Sequence, residues 1–464
     1  MSRRFFDRAI VAADIDSMLA IIERVHPNPY TVVSRDSLRA VRNALVTRLP
    51  DSASRVDVWP SFARLVALLG DGHTNVEVPS EEVFGLLARG GVIFPMRTIA
   101  ADAGRLTVAT YLPGDSLLRR GDEILSVNGY ATDSLLRTFS EEIGGETTRW
   151  REQVAARQLE SFLFMNRIRA PFSVVARAAV RSDSRQLTLQ GISRDSLEAS
   201  NRRATARATA ASTTSRNFSY RTLSDRTGYM NFVTMGGDVG KFEADVDRMF
   251  AQVRADSARS LIVDLRSNGG GDSRMSDALL SHFTTQRYRM TSAKLWKMSR
   301  EYRAFFKSLV RPPLNHLPME KLIPQARPFF SGPDGSIVRM DVDLEAPARR
   351  EPRFDGPVCV LIGALTFSSA VDLVDAIKTY HLATLIGEET GGHPNSFGEV
   401  YYYRTRATGF LVGISSASFV RANGDTTDHR GVMPDIEVRR TSDDVRAGRD
   451  PALERAKDCP SRMP

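Results

Sequence analysis

Ser368 stands where an apolar run gives way to a helical pattern. Val358 to Leu365 is an unbroken apolar stretch of the kind that makes a strand buried on both faces. Ala370, Leu373, Val374 and Ile377 then recur at helical spacing. A serine at such a turn has free backbone N–H groups and the positive end of a helix dipole beside it. That arrangement presents a nucleophilic hydroxyl next to amides able to hold an oxyanion. The plainer role for Ser368 or Ser369 is to cap the helix. A second run, Ser260–Leu265, leads into Gly269-Gly270-Gly271, whose amides no side chain obstructs. The amides of Gly269, Gly270 and Ser369 are therefore candidates for an oxyanion hole. The glycine loop lacks the Lys-Ser/Thr of a P-loop and the G-x-G-x-x-G of a dinucleotide fold, so no cofactor is expected. His73, on the tight turn Gly70–Asn75 (GDGHTN), and His393, in the loop Glu388–His393, are candidate bases. Asp428 and Asp425 are candidate acids. No His, Asp or Glu cluster has metal-site spacing, so no metal is expected.

These residues need elements to hold them. Residues 1–80 read as helical, with apolar faces at Ile15–Val25, Ser37–Leu49 and Val56–Leu69. Asp14 reads as the N-cap of the first helix, and His26-Pro27-Asn28-Pro29 ends it. Residues 81–200 form a different unit, with strands expected at Gly91–Met96, Arg105–Tyr111, Phe172–Val180 and Gln186–Leu189. Its centre is Leu118–Gly129, a short helix, a Gly-Asp turn, a strand and an Asn-Gly turn. Residues 201–217 are rich in Ala, Ser, Thr and Arg without strong periodicity, and read as a linker. From 218 to 445, strands alternate with helices, which argues for an α/β core with a mainly parallel sheet. Loops at the carboxyl ends of its strands should carry function, and the Gly269, Ser368 and Glu388 loops all lie there. Residues 446–464 read as a tail.

Composition narrows the function classes. The chain has 464 residues, a formal charge of +8, 42% hydrophobic residues and 25% charged ones, as expected of a globular protein of several domains. Its arginines are scattered with no aromatic-interleaved basic stripe, so nucleic acid is not the expected partner. No run of 18 apolar residues exists, so no integral membrane segment is expected. Cys359 lies in the buried run and Cys459 in the tail, and no bridge between them is expected. The N-terminus carries two arginines but no apolar h-region, so no secretory signal is read there.

Taken in order, GDGHT (70–74), the RRGDEILSVNG core (119–129), DLRSNGGG (264–271), LTFSSA (365–370), GEETGG (387–392) and DHRGVMPD (428–435) resemble the C-terminal processing, or tail-specific, serine peptidases. The nearer likeness is to their tricorn-core and interphotoreceptor retinoid-binding-protein branch. The resemblance implies a ClpP/crotonase-like α/β core, a PDZ-like module over residues 81–200 that takes an extended peptide by strand addition, and an N-terminal helical part. The Ser–Lys scheme of the processing peptidases would need a lysine at 393, where this chain has His393. The tricorn-like scheme implies Ser368 as nucleophile, His73 as base and Asp428, three residues before Gly431, as acid. Asp428 stands where relatives carry Glu, one methylene longer. The expected function is hydrolysis of peptide bonds in unfolded or C-terminal polypeptide segments. The alternative is a catalytically weak peptide- or lipid-binding protein on the same fold. The resemblance favours an exported, cell-envelope protein, while the N-terminus leaves the cytoplasm open. His26, His282, His316, His381 and His429 read as structural or surface residues.

Overall fold

The computed structural model describes residues 5–101, 104–113, 117–178, 183–210, 217–223, 225–308 and 327–459. His316, Val180 at the end of the expected Phe172–Val180 strand, and residues 211–216 of the expected linker lie outside them.

The N-terminal helices form on the apolar faces read from the sequence. Val11, Ile15, Met18, Ile22 and Val25 recur every three or four residues along Arg8–Val25 and are buried. The helix Arg55–Ala67 starts on a reciprocal Ser54–Asp57 capping box. Asp14 is no N-cap, because the first helix already begins at Arg8. Asp14 sits mid-helix and buried, and its carboxylate accepts from Thr408 N (2.7 Å), Thr408 Oγ1 (2.8 Å) and Ala407 N (3.1 Å). A buried carboxylate satisfied by three donors fixes the start of the chain to a hairpin almost 400 residues later.

Residues 96–189 contain an antiparallel sheet. Its order is Met96–Ala100, Leu106–Tyr111, Glu123–Val127, Phe172–Arg177 and Ser184–Leu189, with Tyr130–Ala131 added to the third strand. The first strand begins at Met96, where the expected Gly91–Met96 strand ends. Ile93 makes only an isolated bridge to Ile192. One apolar cluster joins this unit to the N-terminal helices, with Trp59 and Phe62 alongside Phe94, Phe139, Phe162 and Phe410. The helix Arg194–Ala210 occupies much of the expected linker. Ala, Arg and Glu are strong helix formers, and their propensity suffices there without an apolar stripe.

The C-terminal half is built on a six-stranded sheet. Its order is Phe218–Thr222, Thr227–Phe232, Ser260–Asp264, Val358–Ile362, Thr384–Gly387 and Ile436–Glu437, parallel except for the first pair. Helices Val239–Ala255 and Ser369–Thr379 are crossovers between adjacent parallel strands. Strand alternation divides the core in two. Val263, Val358, Val360 and Ile362 pack with the crossover helices, while Ile262, Cys359, Leu361 and Ile386 pack under Ala452 and Ala456 of the helix Pro451–Lys457. A parallel sheet needs both faces covered, and the C-terminal segment covers the second one. This explains the disulfide Cys359–Cys459, which corrects the expectation of no bridge. The sequence places Cys359 in a buried strand but does not reveal that the tail is that strand's cover.

A second antiparallel sheet carries Ile337–Asp341, Thr291–Lys297, Leu411–Arg421 and Ser396–Arg404 in that order. The short strand Asn75–Val76 joins it by pairing with Gly413 and Val412. That graft brings the N-terminal part to the site. Among the described residues, no helix is long and apolar enough to cross a membrane.

Candidate active site

The Val358–Ile362 strand and the Ser369–Thr379 helix meet at Ser368, whose backbone is held at φ 55° and ψ −134°. Left-handed φ is strained for a residue with a Cβ and costs about 1–3 kcal/mol, which the surroundings must over-determine. They do so through Gly270, itself at φ 91°. A Cβ added there would meet Ser368 Cβ at 2.5 Å and Ser369 N at 2.9 Å, so only glycine lets the two loops touch. Thr366 adds a clamp, with its hydroxyl donating to Leu265 O (2.8 Å) and accepting from Gly363 N (3.1 Å). Ser369 Oγ donates to Gly271 O at 2.6 Å.

His73 arrives from the N-terminal part. Its Nε2 lies 2.9 Å from Ser368 Oγ, across 295 residues of sequence. The ring leans on Phe367, centroid to centroid 4.8 Å, and Phe367 stacks on Trp150 at 4.1 Å. Beneath it lies Asp71, buried to 1% exposure. Asp71 Oδ1 accepts from the His73 backbone N–H at 2.9 Å and lies 3.8 Å from His73 Nδ1. Asp71 Oδ2 accepts from Ser415 Oγ (2.6 Å) and Thr74 Oγ1 (2.5 Å) and faces His26 Nε2 at 3.1 Å. Because Asn28 N–H donates to His26 Nδ1, the His26 proton sits on Nε2 and points at Asp71.

The electrostatics follow from these contacts. Burial opposes ionisation of Asp71. The hydrogen bond from His26 Nε2, and then the Ser415 hydroxyl, nonetheless hold its carboxyl well below the usual range. Burial lowers the His73 pKa and Asp71 partly restores it, so the imidazole is neutral and a competent proton acceptor at pH 7. Glu146, from the loop before the helix Thr148–Arg157, is pushed up to about 8 by burial and then by the Asp71 charge. Asp372, on the helix behind Ser368, is raised to about 7 by burial and by Asp375. It lines a cavity of about 470 Å³ with Ser368, His73, Asp272, Lys294 and Glu399.

The other candidates fall as follows. The Gly270 amide is already spent on Asn268 Oδ1 (2.9 Å) and is unavailable to an oxyanion. Among the described residues, the Gly269 and Ser369 amides donate to no protein acceptor. The Asp428 carboxylate is held by Arg421 (2.8 Å) and Arg430 (3.5 Å), and no hydrogen bond or ion pair joins it to His73 among the described residues. Burial raises the Asp428 pKa, but the Arg421 bond outweighs it and leaves the group ionised. Asp425 accepts from Thr427 in its own turn. His393 is lowered to about 4, by burial first and His429 second, and it makes no bond to Ser368 among the described residues. Lys378 pairs with Asp435. The sequence reading missed Asp71, Asn268 and Glu146. Asp71 and Asn268 lie inside the motifs GDGHT and DLRSNGGG, where Asp and Asn are ordinary turn formers, and Glu146 carries no motif at all.

Residues 226–438 match the model of peptidase family S41. Among solved structures, mature CPAF superposes with a TM-score of 0.61 at 16% identity, covering 94% of this chain and 94% of that one. Mature CPAF complexed with lactacystin gives 0.60 at 16%, covering 95% and 96%. At that identity the likeness is one of fold. A search of curated proteins returns no match. Over residues 226–438, a little under half of the chain, the sequence is thus similar to peptidase family S41, which supports the resemblance to the C-terminal processing serine peptidases that its motifs carry.

Proposed function

We propose that this protein is a serine endopeptidase of unfolded or C-terminal polypeptide segments, with Ser368 as nucleophile and His73 as base. The observation that carries this reading is the 2.9 Å approach of His73 Nε2 to Ser368 Oγ on a strained strand-to-helix turn. Neutral His73 takes the Ser368 proton as Oγ attacks the scissile carbonyl carbon. The carbonyl oxygen becomes an oxyanion held by the Gly269 and Ser369 amides; one such donor is worth about 10²–10³ in rate. His73 then protonates the leaving amine, and a water activated by the same imidazole releases the acyl group. Asp71 positions the imidazole through the His73 backbone and stabilises the imidazolium from 3.8 Å. In this reading Asp428 is a structural acid on Arg421.

The parallel sheet and its crossover helices serve as the ClpP/crotonase-like core. The antiparallel unit at 96–189 serves as a PDZ-like module that takes peptide by strand addition. The protein works outside the cytoplasm, a reading the Cys359–Cys459 disulfide supports. The test is labelling by a fluorophosphonate probe together with cleavage of unfolded casein. Wild type should do both, and Ser368→Ala and His73→Ala neither. Wild type that is folded yet inert to both, or His73→Ala that labels normally while His393→Ala does not, would refute the assignment.

A further inference from the structure

We propose that Asp71 Oδ1, His73 Nδ1 and a Glu146 carboxyl oxygen form a zinc site that switches the peptidase off by holding His73 in the wrong tautomer. One donor atom from each residue lies within 4.8 Å of the other two. Nothing in the spacing of 71, 73 and 146 suggests a site; it arises because the loop before the Thr148–Arg157 helix folds over the GDGHT turn. Gly72 makes this possible, since a Cβ there would stand 3.2 Å from Glu146 Oε2 and 2.5 Å from Phe367 Cζ.

The second observation is the state of the donors. His73 Nδ1 and both Glu146 carboxyl oxygens are buried and have no hydrogen-bond partner. The backbone amides of Gly72 and Glu146 approach the carboxyl closely enough to favour its charge, without hydrogen-bond geometry. Buried polar atoms are seldom left unpaired, and a carboxyl group in such a place needs a proton or a cation. Asp71 Oδ1 accepts only the His73 N–H among the described residues, so it keeps a lone pair. Two carboxylates and one imidazole suit zinc, at about 2.0–2.2 Å from each donor. Reaching that geometry asks the unbonded Glu146 side chain to swing inward and the 3.8 Å between Asp71 Oδ1 and His73 Nδ1 to close by a few tenths of an ångström. The other Asp71 oxygen, bonded to Ser415 and Thr74 and facing His26, supplies the outer contacts that orient a ligating carboxylate.

Occupancy has a chemical consequence. Zinc takes the Nδ1 lone pair, so the neutral imidazole keeps its proton on Nε2, where it donates to Ser368 Oγ. A base that already holds its proton cannot accept another. Binding releases the Glu146 proton to solvent and changes no oxidation state. The inhibitory half rests on the Ser368–His73 reading above; the binding half does not.

The experiment uses the folded full chain and zinc alone as the probe. Equilibrium dialysis measures binding, and the fluorophosphonate rate at Ser368 measures inhibition. A His429→Ala background removes the His393–His429 pair as a second zinc binder. One tight equivalent, weakened at least tenfold in Glu146→Gln, with labelling slowed at least tenfold by zinc and unaffected by calcium, supports the proposal. Equal affinity in Glu146→Gln and its parent overturns the site. Glu146-dependent binding with an unchanged labelling rate overturns the switch. If Glu146→Gln fails to fold, a zinc-soaked crystal decides: an anomalous peak between the three donors supports the site, and its absence overturns it. A parent protein that never labels, with or without zinc, sinks the peptidase reading instead, and dialysis still reports on the site.

Discussion

Replacing Gly270 by alanine tests whether the glycine loop is what holds Ser368 in line. Gly270 has φ 91°, and the added Cβ would stand 2.5 Å from Ser368 Cβ and 2.8 Å from Phe367 O. Carbon atoms in contact settle at about 3.5–4.0 Å, so the two loops must part by about 1 Å. None of the three near atoms belongs to a flexible side-chain end, and Ser368 is already at φ 55° with little room to adjust. The movement therefore falls on the 2.9 Å Ser368–His73 contact and on the amides beside it. A misplacement of about 1 Å at reacting atoms costs about 10² in rate, or about 2.7 kcal/mol of barrier. The left-handed backbone adds about 1–2 kcal/mol against stability for a residue with a Cβ. Second-order fluorophosphonate labelling reads the first effect and a urea melt the second. Labelling within threefold of wild type, in protein shown to be folded, would refute the idea that this contact sets the nucleophile.

Two further expectations concern the supports of the site. Cys459→Ser opens a loop of 100 residues, and the chain-entropy argument assigns such a crosslink about 4–5 kcal/mol, so the urea midpoint should fall; dithiothreitol should lower wild type likewise and leave the variant unmoved. If the reductant leaves the wild-type midpoint unchanged, the bridge does not stabilise the core. Asp71→Asn should slow Ser368 labelling by about 10³, since a unit charge 3.8 Å from the imidazolium is worth about 4 kcal/mol at an effective dielectric of about 20. Asp428→Asn should slow it less than tenfold, and the reverse order would return Asp428 to the acid role.

What could be read in the chain, and what could not, divides along the range of the interactions. The crossover helices, the buried strands and the turn at Ser368 come from local periodicity, because apolar spacing along one element determines which face it buries. The N-terminal helices are legible for the same reason, while the placement of Asp14 is not. A carboxylate looks like a cap when it precedes an apolar run, and only the Thr408 loop packed against it shows that it serves a distant hairpin. The disulfide fails by the same logic. Cys359 and Cys459 are individually well read, but their meeting depends on the Pro451–Lys457 helix lying across the sheet. The helix at Arg194–Ala210 shows the opposite failure, where intrinsic propensity outweighed the missing apolar stripe on which the linker reading relied.

The acid of the site combines both problems. A family position pointed to Asp428, yet a carboxylate acts through what it touches, and this one touches Arg421 and Arg430. Arg421 in turn binds Asp375, a fully buried carboxyl on the helix that follows Ser368. Moving Asp428 to His73 would strip one of two anions from that guanidinium and leave Asp375 to balance it alone, a cost of the kind paid when a partly buried ion pair loses a partner. No comparable cost attaches to Asp71, which is already below the imidazole and already ionised by His26 and Ser415. Aspartate at 428 is also one methylene shorter than the glutamate that the family resemblance implies there. In the reading proposed above, the charge behind the base comes from the acid two residues before His73, while Arg421 keeps the Asp428 carboxylate on the core. The Asp71→Asn and Asp428→Asn pair tests that division directly.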